Sequence, residues 1–335
     1  MITRLLALLV SMPLAAAGSF ADPADLPTPV IDEWQVPWEN TRPRDPDVGP
    51  DGDVWFVGQR GDYVAALDPD SGGFRRIDLD AGTGPHNLIV AADGTIYYAG
   101  NRAAHIGRID PASGVIEKIP MPDEGARDPH TLVFDGNGRI FFTVQGGNMV
   151  GRLDLASEDV TLTDVPTDNA RPYGIVVAPD GAVWATAFGT NKLLRIDPAS
   201  VEVAEILLPR DEARPRRLQA TTDGRIWYVD YAGGVLGFLH PASGIFKEYP
   251  VPGGPDSRPY GMAVDDRNML WFVESGLSPN RLVGFDPVTE SFGDPVPVPS
   301  GAGTVRHMVY DGEADAIWFG TDTNTIARAR LRAAE

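Results

Sequence analysis

The chain has 335 residues, 43% of them apolar, no cysteine, and a formal net charge of −19. So acidic a composition argues against nucleic acid as a partner, because phosphate-backbone binding needs a basic face. The length allows a core without disulfide staples, and a cysteine-free chain cannot rely on them.

The first predicted element is a secretory signal over residues 1–21. Met1-Ile-Thr-Arg4 is a charged start, Leu5 to about Ala17 is apolar, and both Ala15-Ala16-Ala17 and Ser19-Phe20-Ala21 resemble cleavage sites. This segment is too short to span a bilayer comfortably, and no other stretch is apolar enough, so no membrane span is expected. The expectation is a periplasmic or secreted monomer whose residues 22–335 form one domain.

A strand is expected next at Ile31–Pro37, followed by a unit repeated seven times. Each unit places an aromatic residue after a short turn signal, at Trp55, Tyr97, Phe141, Trp184, Trp227, Trp271 and Trp318. The intervals, by subtraction, are 42, 44, 43, 43, 44 and 47 residues. A period in the low forties, rich in short strands and Gly/Pro turns, predicts an all-β, seven-bladed β-propeller with four-stranded blades.

The fourth repeat serves as template. Ile175–Val177 reads as its first strand, Asp180-Gly181 as a two-residue hairpin signal, and Val183–Thr186 as its second strand. Asn191–Ile196 and Val203–Leu208 complete the blade. A turn follows the third strand at Asp68, Asp110, Asp154, Asp197, His240 and Asp286. The seventh repeat stops near Leu331 without a fourth strand. Ile31–Pro37 resembles the fourth-strand segments Ile116–Pro122 and Phe246–Pro252, so the N-terminal strand should complete the last blade and close the ring. Closure removes exposed sheet edges.

Eleven residues before each aromatic stand Arg44, His86, His130, Tyr173, Arg216, Tyr260 and His307, none aliphatic, and six of the seven follow a proline. Proline is tolerated at the first residue of a strand. The position should therefore open the innermost strand, at the mouth of the central channel. One reading is a wet mouth needing only polar side chains. The other is a site: His for proton transfer, and Arg for carboxylate, carbonyl or phosphate groups. Arg42, Arg171, Arg214, Arg217, Arg258 and Arg306 add cations nearby, favouring an anionic or carbonyl-rich ligand. His105 and His240 read as structural. Asp230, Glu274 and Asp322, just past the aromatics of three consecutive repeats, are candidate oxygen ligands for Mg²⁺ or Ca²⁺, or partners of the nearby arginines. Asp322 is also expected beside His307.

The unit Arg171-Pro-Tyr-Gly-Ile175, Pro179-Asp-Gly181 before Trp184, and Asn191-Lys-Leu-Leu-Arg-Ile196, with Glu248-Tyr-Pro-Val-Pro252, resembles the repeat of the streptogramin B lyase (virginiamycin B lyase) family. The resemblance covers about residues 30 to 331. It implies a Mg²⁺-dependent propeller that opens a cyclic depsipeptide by elimination at its ester. It implies a catalytic histidine at His307 and a carboxylate at Asp322, and places Tyr260 and Val305 where the family carries His and Glu. In that reading His307 takes the proton α to the ester carbonyl, a metal near Asp322 and Glu274 stabilises the developing charge, and Tyr260 or Arg216 donates a hydrogen bond. The alternatives are a non-catalytic propeller holding a small molecule, peptide, sugar or protein at a mouth that includes His86, His130, Tyr173, Arg44, Arg216 and Arg258, and a metal-dependent lactonase or esterase.

Overall fold

The computed structural model describes residues 26 and 28–332; the expected signal segment lies outside them. Seven antiparallel sheets surround one axis. Blade 1 runs Pro43–Val48, Val54–Gly58, Tyr63–Leu67 and Phe74–Asp78 from the axis outward. Blades 2 to 6 repeat this order over 85–120, 129–164, 172–207, 215–250 and 259–297. Blade 7 has three strands from the C-terminal region and a fourth, Val30–Gln35, from the N-terminal region.

The closing strand lies antiparallel to Thr325–Arg330, with Trp34 opposite Ile326. Val36 extends the contact through its N–H to the carbonyl of Asn324, 3.0 Å away. The Trp34 ring sits 5.4 Å from that of Trp318. The expected ring closure is therefore present in register.

The repeated aromatics fill the space between blades. Trp184 of blade 4 packs with Leu218, Ile226 and Tyr228 of blade 5, and Trp55 of blade 1 with Leu88 and Ile96 of blade 2. A single blade has no core of its own, so the ring is the folding unit. The Asp turns are held by side chains, as at Asp197, whose Oδ1 accepts the N–H groups of Ala199 and Ser200 at 2.9 and 2.8 Å. In blade 5 His240 takes this place, its Nδ1 2.9 Å from the Ser243 hydroxyl. His105 is buried with Nε2 3.2 Å from the Tyr98 hydroxyl. Both are structural, as expected.

Two local expectations are corrected. The Asp180-Gly181 turn is not a two-residue hairpin: Val177 and Val183 are the last paired residues, and Gly181 donates to the Ala178 carbonyl at 2.8 Å. Pro179 leads the turn, its ring fixing the backbone angle a type I turn requires, and Gly181 takes the left-handed position at φ 81°. In blade 6 the outer strand is split into Ser291–Phe292 and Val296–Pro297. Pro295, between them, has no N–H to give to the ladder.

Candidate functional site

Every innermost strand is irregular at its axial start. Between Pro129 and Leu132 the strand advances three residues while its partner advances two, from Val144 to Phe142. The other six blades show an irregularity at the same place. Strict alternation would send one of two neighbouring side chains to the axis; a bulge re-aims the second. Backbone groups freed there are taken up by threonines: Thr143 Oγ1 donates to the Tyr173 carbonyl at 2.7 Å, and Thr186 Oγ1 to that of Arg216 at 3.0 Å.

Pairing also corrects the seventh member of the ring. The prolines at 43, 85, 129, 172, 215 and 259 pair with residues 58, 100, 144, 187, 230 and 274, each three past the blade aromatic. The blade 7 residue in that place is Val305, which pairs with Thr321. Tyr310 and Ile317 enclose six residues, where the corresponding Val177 and Val183 enclose five. Counting back eleven residues from Trp318 therefore stops one residue short. The ring is Arg44, His86, His130, Tyr173, Arg216, Tyr260 and Arg306. His307 belongs one residue deeper, in line with Asp45, Asn87, Thr131 and Arg217.

The ring is a packed cluster. The His86 and His130 rings lie 3.6 Å apart and those of His130 and Tyr173 3.9 Å. The Tyr173 and Tyr260 hydroxyls share a hydrogen bond across the axis. The Arg216 guanidinium lies 3.9 Å from the Tyr260 ring centroid and 4.4 Å from those of Phe188 and Tyr231. Arg258 is exposed at the mouth, 5.9 Å from the Tyr231 ring.

Beneath the ring, one buried carboxylate ties the blades together. Asp45 accepts Arg44 Nε at 2.9 Å and Arg217 Nη2 at 3.1 Å. Arg217 reaches it from blade 5 and also donates to Thr131 Oγ1 at 3.1 Å and to the Arg306 carbonyl at 2.9 Å. Burial opposes ionisation of Asp45, but Arg44 and Arg217 overcome it and hold this carboxyl well below the usual range. Burial, with the neighbouring arginines, keeps His86 and His130 neutral and depresses His307 to about 3. For Tyr173 burial is opposed by Arg216, Arg44 and Arg217, which favour the phenolate. Sequence reading missed the roles of Asp45 and Asn87; the signal available was a second polar residue directly after the ring position, in Arg44-Asp45 and His86-Asn87.

The three candidate metal-ligating carboxylates do not meet. Asp322 is bound by its neighbour Arg306, Nη2 to Oδ2 at 2.6 Å, with Arg42 Nε 3.6 Å away. Glu274 accepts Arg281 Nε at 2.9 Å and the Gly253 N–H. Asp230 pairs with Arg210 and accepts the N–H groups of Arg214 and Ala232 at 2.8 and 3.0 Å. Each acid is held by a different arginine, and among the described residues no group of three or more acids and histidines is arranged to hold a metal. This donor set does not fit the divalent cation that the resemblance implies. Nor is Asp322 the partner of His307. Calorimetric titration with Mg²⁺ is accordingly expected to give no saturable heat; a saturable heat abolished by Asp322→Asn would contradict the pairing described.

Buried titratable groups also give the fold a pH dependence. The unfolded chain binds imidazole protons below about 6.5, which His86, His130 and His307 refuse when folded. Burial raises Asp47 to about 6 and Asp128 to about 7, so there the folded chain holds two protons that the unfolded chain has lost. Burial lowers His105 as well, so the depressed imidazoles outnumber these carboxyls and the unfolded state binds more protons. Stability is expected to rise with pH between 5 and 6.5, by about 1.4 kcal/mol per pH unit for each excess proton. Asp128→Asn removes one opposing carboxyl and should steepen the rise; urea unfolding across this range measures it.

The architecture defines a seven-bladed β-propeller with a polar, arginine-rich axis and a ring of His, Tyr and Arg at one mouth. The profile of the virginiamycin B lyase family matches residues 27–282, and the chain belongs to that family. The matched span ends before the innermost strand of blade 7, which carries Arg306 and His307. Among solved structures the chain is similar to a streptogramin B lyase, at 24% identity and TM-score 0.82 over 91% of this chain and 98% of that one. It is equally similar to a catalytically inactive virginiamycin B lyase from Staphylococcus aureus with quinupristin, at 24% identity and TM-score 0.82 over 91% and 100%. Hydrazine synthase from Kuenenia stuttgartiensis superposes with TM-score 0.73 at 16% identity, over 90% of this chain and 98% of that one. At these identities the likeness carries the fold. No curated protein matches the chain.

Proposed function

We propose that this propeller is an exported binding protein whose mouth holds a small molecule or peptide through a carboxylate or a run of carbonyls. One observation carries the reading: an arginine–aromatic cluster on the mouth face of an otherwise acidic chain. Arg171, Arg214 and Phe188 line a depression of about 430 Å³, and Arg216 lies against the Phe188 ring. Guanidinium groups bind carboxylates in forked pairs and stack on aromatic faces, so a ligand with an acidic end and a planar group meets both. Asp230, Glu274 and Asp322 are already engaged by arginines, which leaves fewer free anions at the mouth. Calorimetry with short aromatic peptides bearing a free or an amidated C terminus tests it. The free acid should bind, the amide at least tenfold more weakly, and Arg171→Ala or Arg214→Ala should erase the difference. Equal affinities for acid and amide would contradict it.

The second reading is a carbon–oxygen lyase that opens a cyclic ester. Family membership favours it, as do the neutral ring imidazoles, since a base must be unprotonated to accept a proton. Against it stand a His307 of depressed basicity, the engagement of Asp322 by Arg306, and carboxylates that do not assemble a metal site.

A further inference from the structure

At the other end of the axis the inner strands of all seven blades surround a cavity of about 420 Å³, open to solvent and separate from the mouth. Its wall is mainly aliphatic, with Leu132, Val133, Ile175 and Val309 among the lining residues. Most polar groups in the lining are already satisfied. Asp47 accepts the N–H groups of Val48 and Val90 at 3.0 and 2.8 Å. Gln219 Nε2 donates to the Met262 carbonyl at 3.2 Å, the Tyr310 hydroxyl to Asp315 at 3.0 Å, and Thr131 Oγ1 accepts Arg217. The exception is His307, a partly exposed lining residue whose imidazole has no hydrogen-bond partner among the described residues, Nδ1 being its buried nitrogen. A buried polar atom without a partner calls for one.

We propose that this cavity is a second ligand site, for a small apolar molecule carrying one neutral hydroxyl, which hydrogen-bonds His307. The volume lies in the range of small-molecule pockets, and a wall of apolar side chains with one convergent polar group is their usual make-up. A cavity of about 150 Å³ lined by aliphatic and aromatic side chains is known to take benzene, so this one has room for a substituted ring. The imidazole stays neutral here and offers a single lone pair or N–H. The Asp47 carboxyl faces the same space and disfavours an anionic head group. A phenol or an alcohol of medium length meets these conditions; a carboxylate does not. The site does not rest on the binding reading of the mouth, which lies at the opposite end, and shares only His307 with the lyase reading.

Calorimetry on the whole protein with 4-ethylphenol, ethylbenzene and phenylacetate tests the assignment. 4-Ethylphenol should saturate one site, ethylbenzene should bind there about tenfold more weakly for want of the hydrogen bond, and phenylacetate should give no heat at this site. His307→Phe should weaken 4-ethylphenol about tenfold and leave ethylbenzene within about twofold. Val133→Trp at the cavity rim should abolish both, and Arg214→Ala at the mouth should change neither. If His307→Phe does not fold, the imidazole nitrogen resonances of His307 in the unaltered protein give the answer, since they should shift on adding 4-ethylphenol. No saturable heat with 4-ethylphenol, equal weakening of both neutral probes by His307→Phe, or unmoved resonances would overturn the proposal, the last leaving only an ordered water at His307.

Discussion

Asp45→Asn is expected to destabilise the fold by about 3–5 kcal/mol, the largest effect of any single substitution at the axis. The replacement keeps the shape of the side chain and removes its charge. Arg44 and Arg217 then remain buried without a counter-ion, 4% and 3% exposed. Bringing two charges out of water costs several kcal/mol each, and only a well-placed partner offsets that. Asp45 is that partner for both, joining blades 1 and 5 across the axis. Its other neighbours cannot substitute: Asn87 is neutral, and burial and the same arginines keep His86 uncharged. Urea unfolding measures the loss. Combining Asp45→Asn with Arg217→Met should restore part of it, because one stranded charge is removed with its partner. A cost below about 1 kcal/mol, or strict additivity of the two changes, would show that the axis is hydrated and the ion pairs are incidental.

Removing residues 26–37 is expected to have a still broader effect, because it opens the ring. The deleted segment supplies six paired residues along Thr325–Arg330 and the Trp34 ring against Trp318. Each lost ladder hydrogen bond is worth about 1 kcal/mol and the tryptophan about 2 or more. Together these approach the whole net stability of a domain, about 5–15 kcal/mol. The freed edge of Thr325–Arg330 then offers unpaired N–H and C=O groups to other chains. The expected result is aggregation on expression or a melting transition lowered by tens of degrees. Trp34→Ala should give a milder version, a loss of about 2 kcal/mol with the ring still closed. A truncated protein that melts with the full chain would remove the closure argument.

The architecture was legible because it depends on features repeated seven times. The interval between blade aromatics, the Asp turns and the likeness of Ile31–Pro37 to other fourth strands each recur, so a misread copy is corrected by its neighbours. The errors fall where one copy departs from the rest. Blade 7 has a longer inner hairpin, which moved Arg306 into the place assigned to His307. Blade 6 has Pro295 in its outer strand. The Asp180-Gly181 pair looked like a two-residue turn because the contribution of Pro179 was overlooked.

The candidate site was harder to read for a different reason. Sequence spacing gives the side chains near the axis but not the pairs they form. Asp230, Glu274 and Asp322 looked like one cluster because they lie at similar places on adjacent blades. Each instead meets an arginine from its own neighbourhood, at Arg210, Arg281 and Arg306. Glu274 and Arg281 are directly opposite across a strand pair, so that pairing could have been found by extending the template register. The bulge that turns Asp45 and Arg217 toward the axis has no comparable signature.

The most direct test of the central claim, that the mouth binds without metal-assisted ester opening, is chromatography with mass detection of quinupristin incubated with the protein and Mg²⁺. Elimination would give a product of unchanged mass at a new retention time, and hydrolysis a product heavier by one water. The account predicts a single unchanged peak. A new isomer that requires Mg²⁺ and disappears with Asp322→Asn would contradict it.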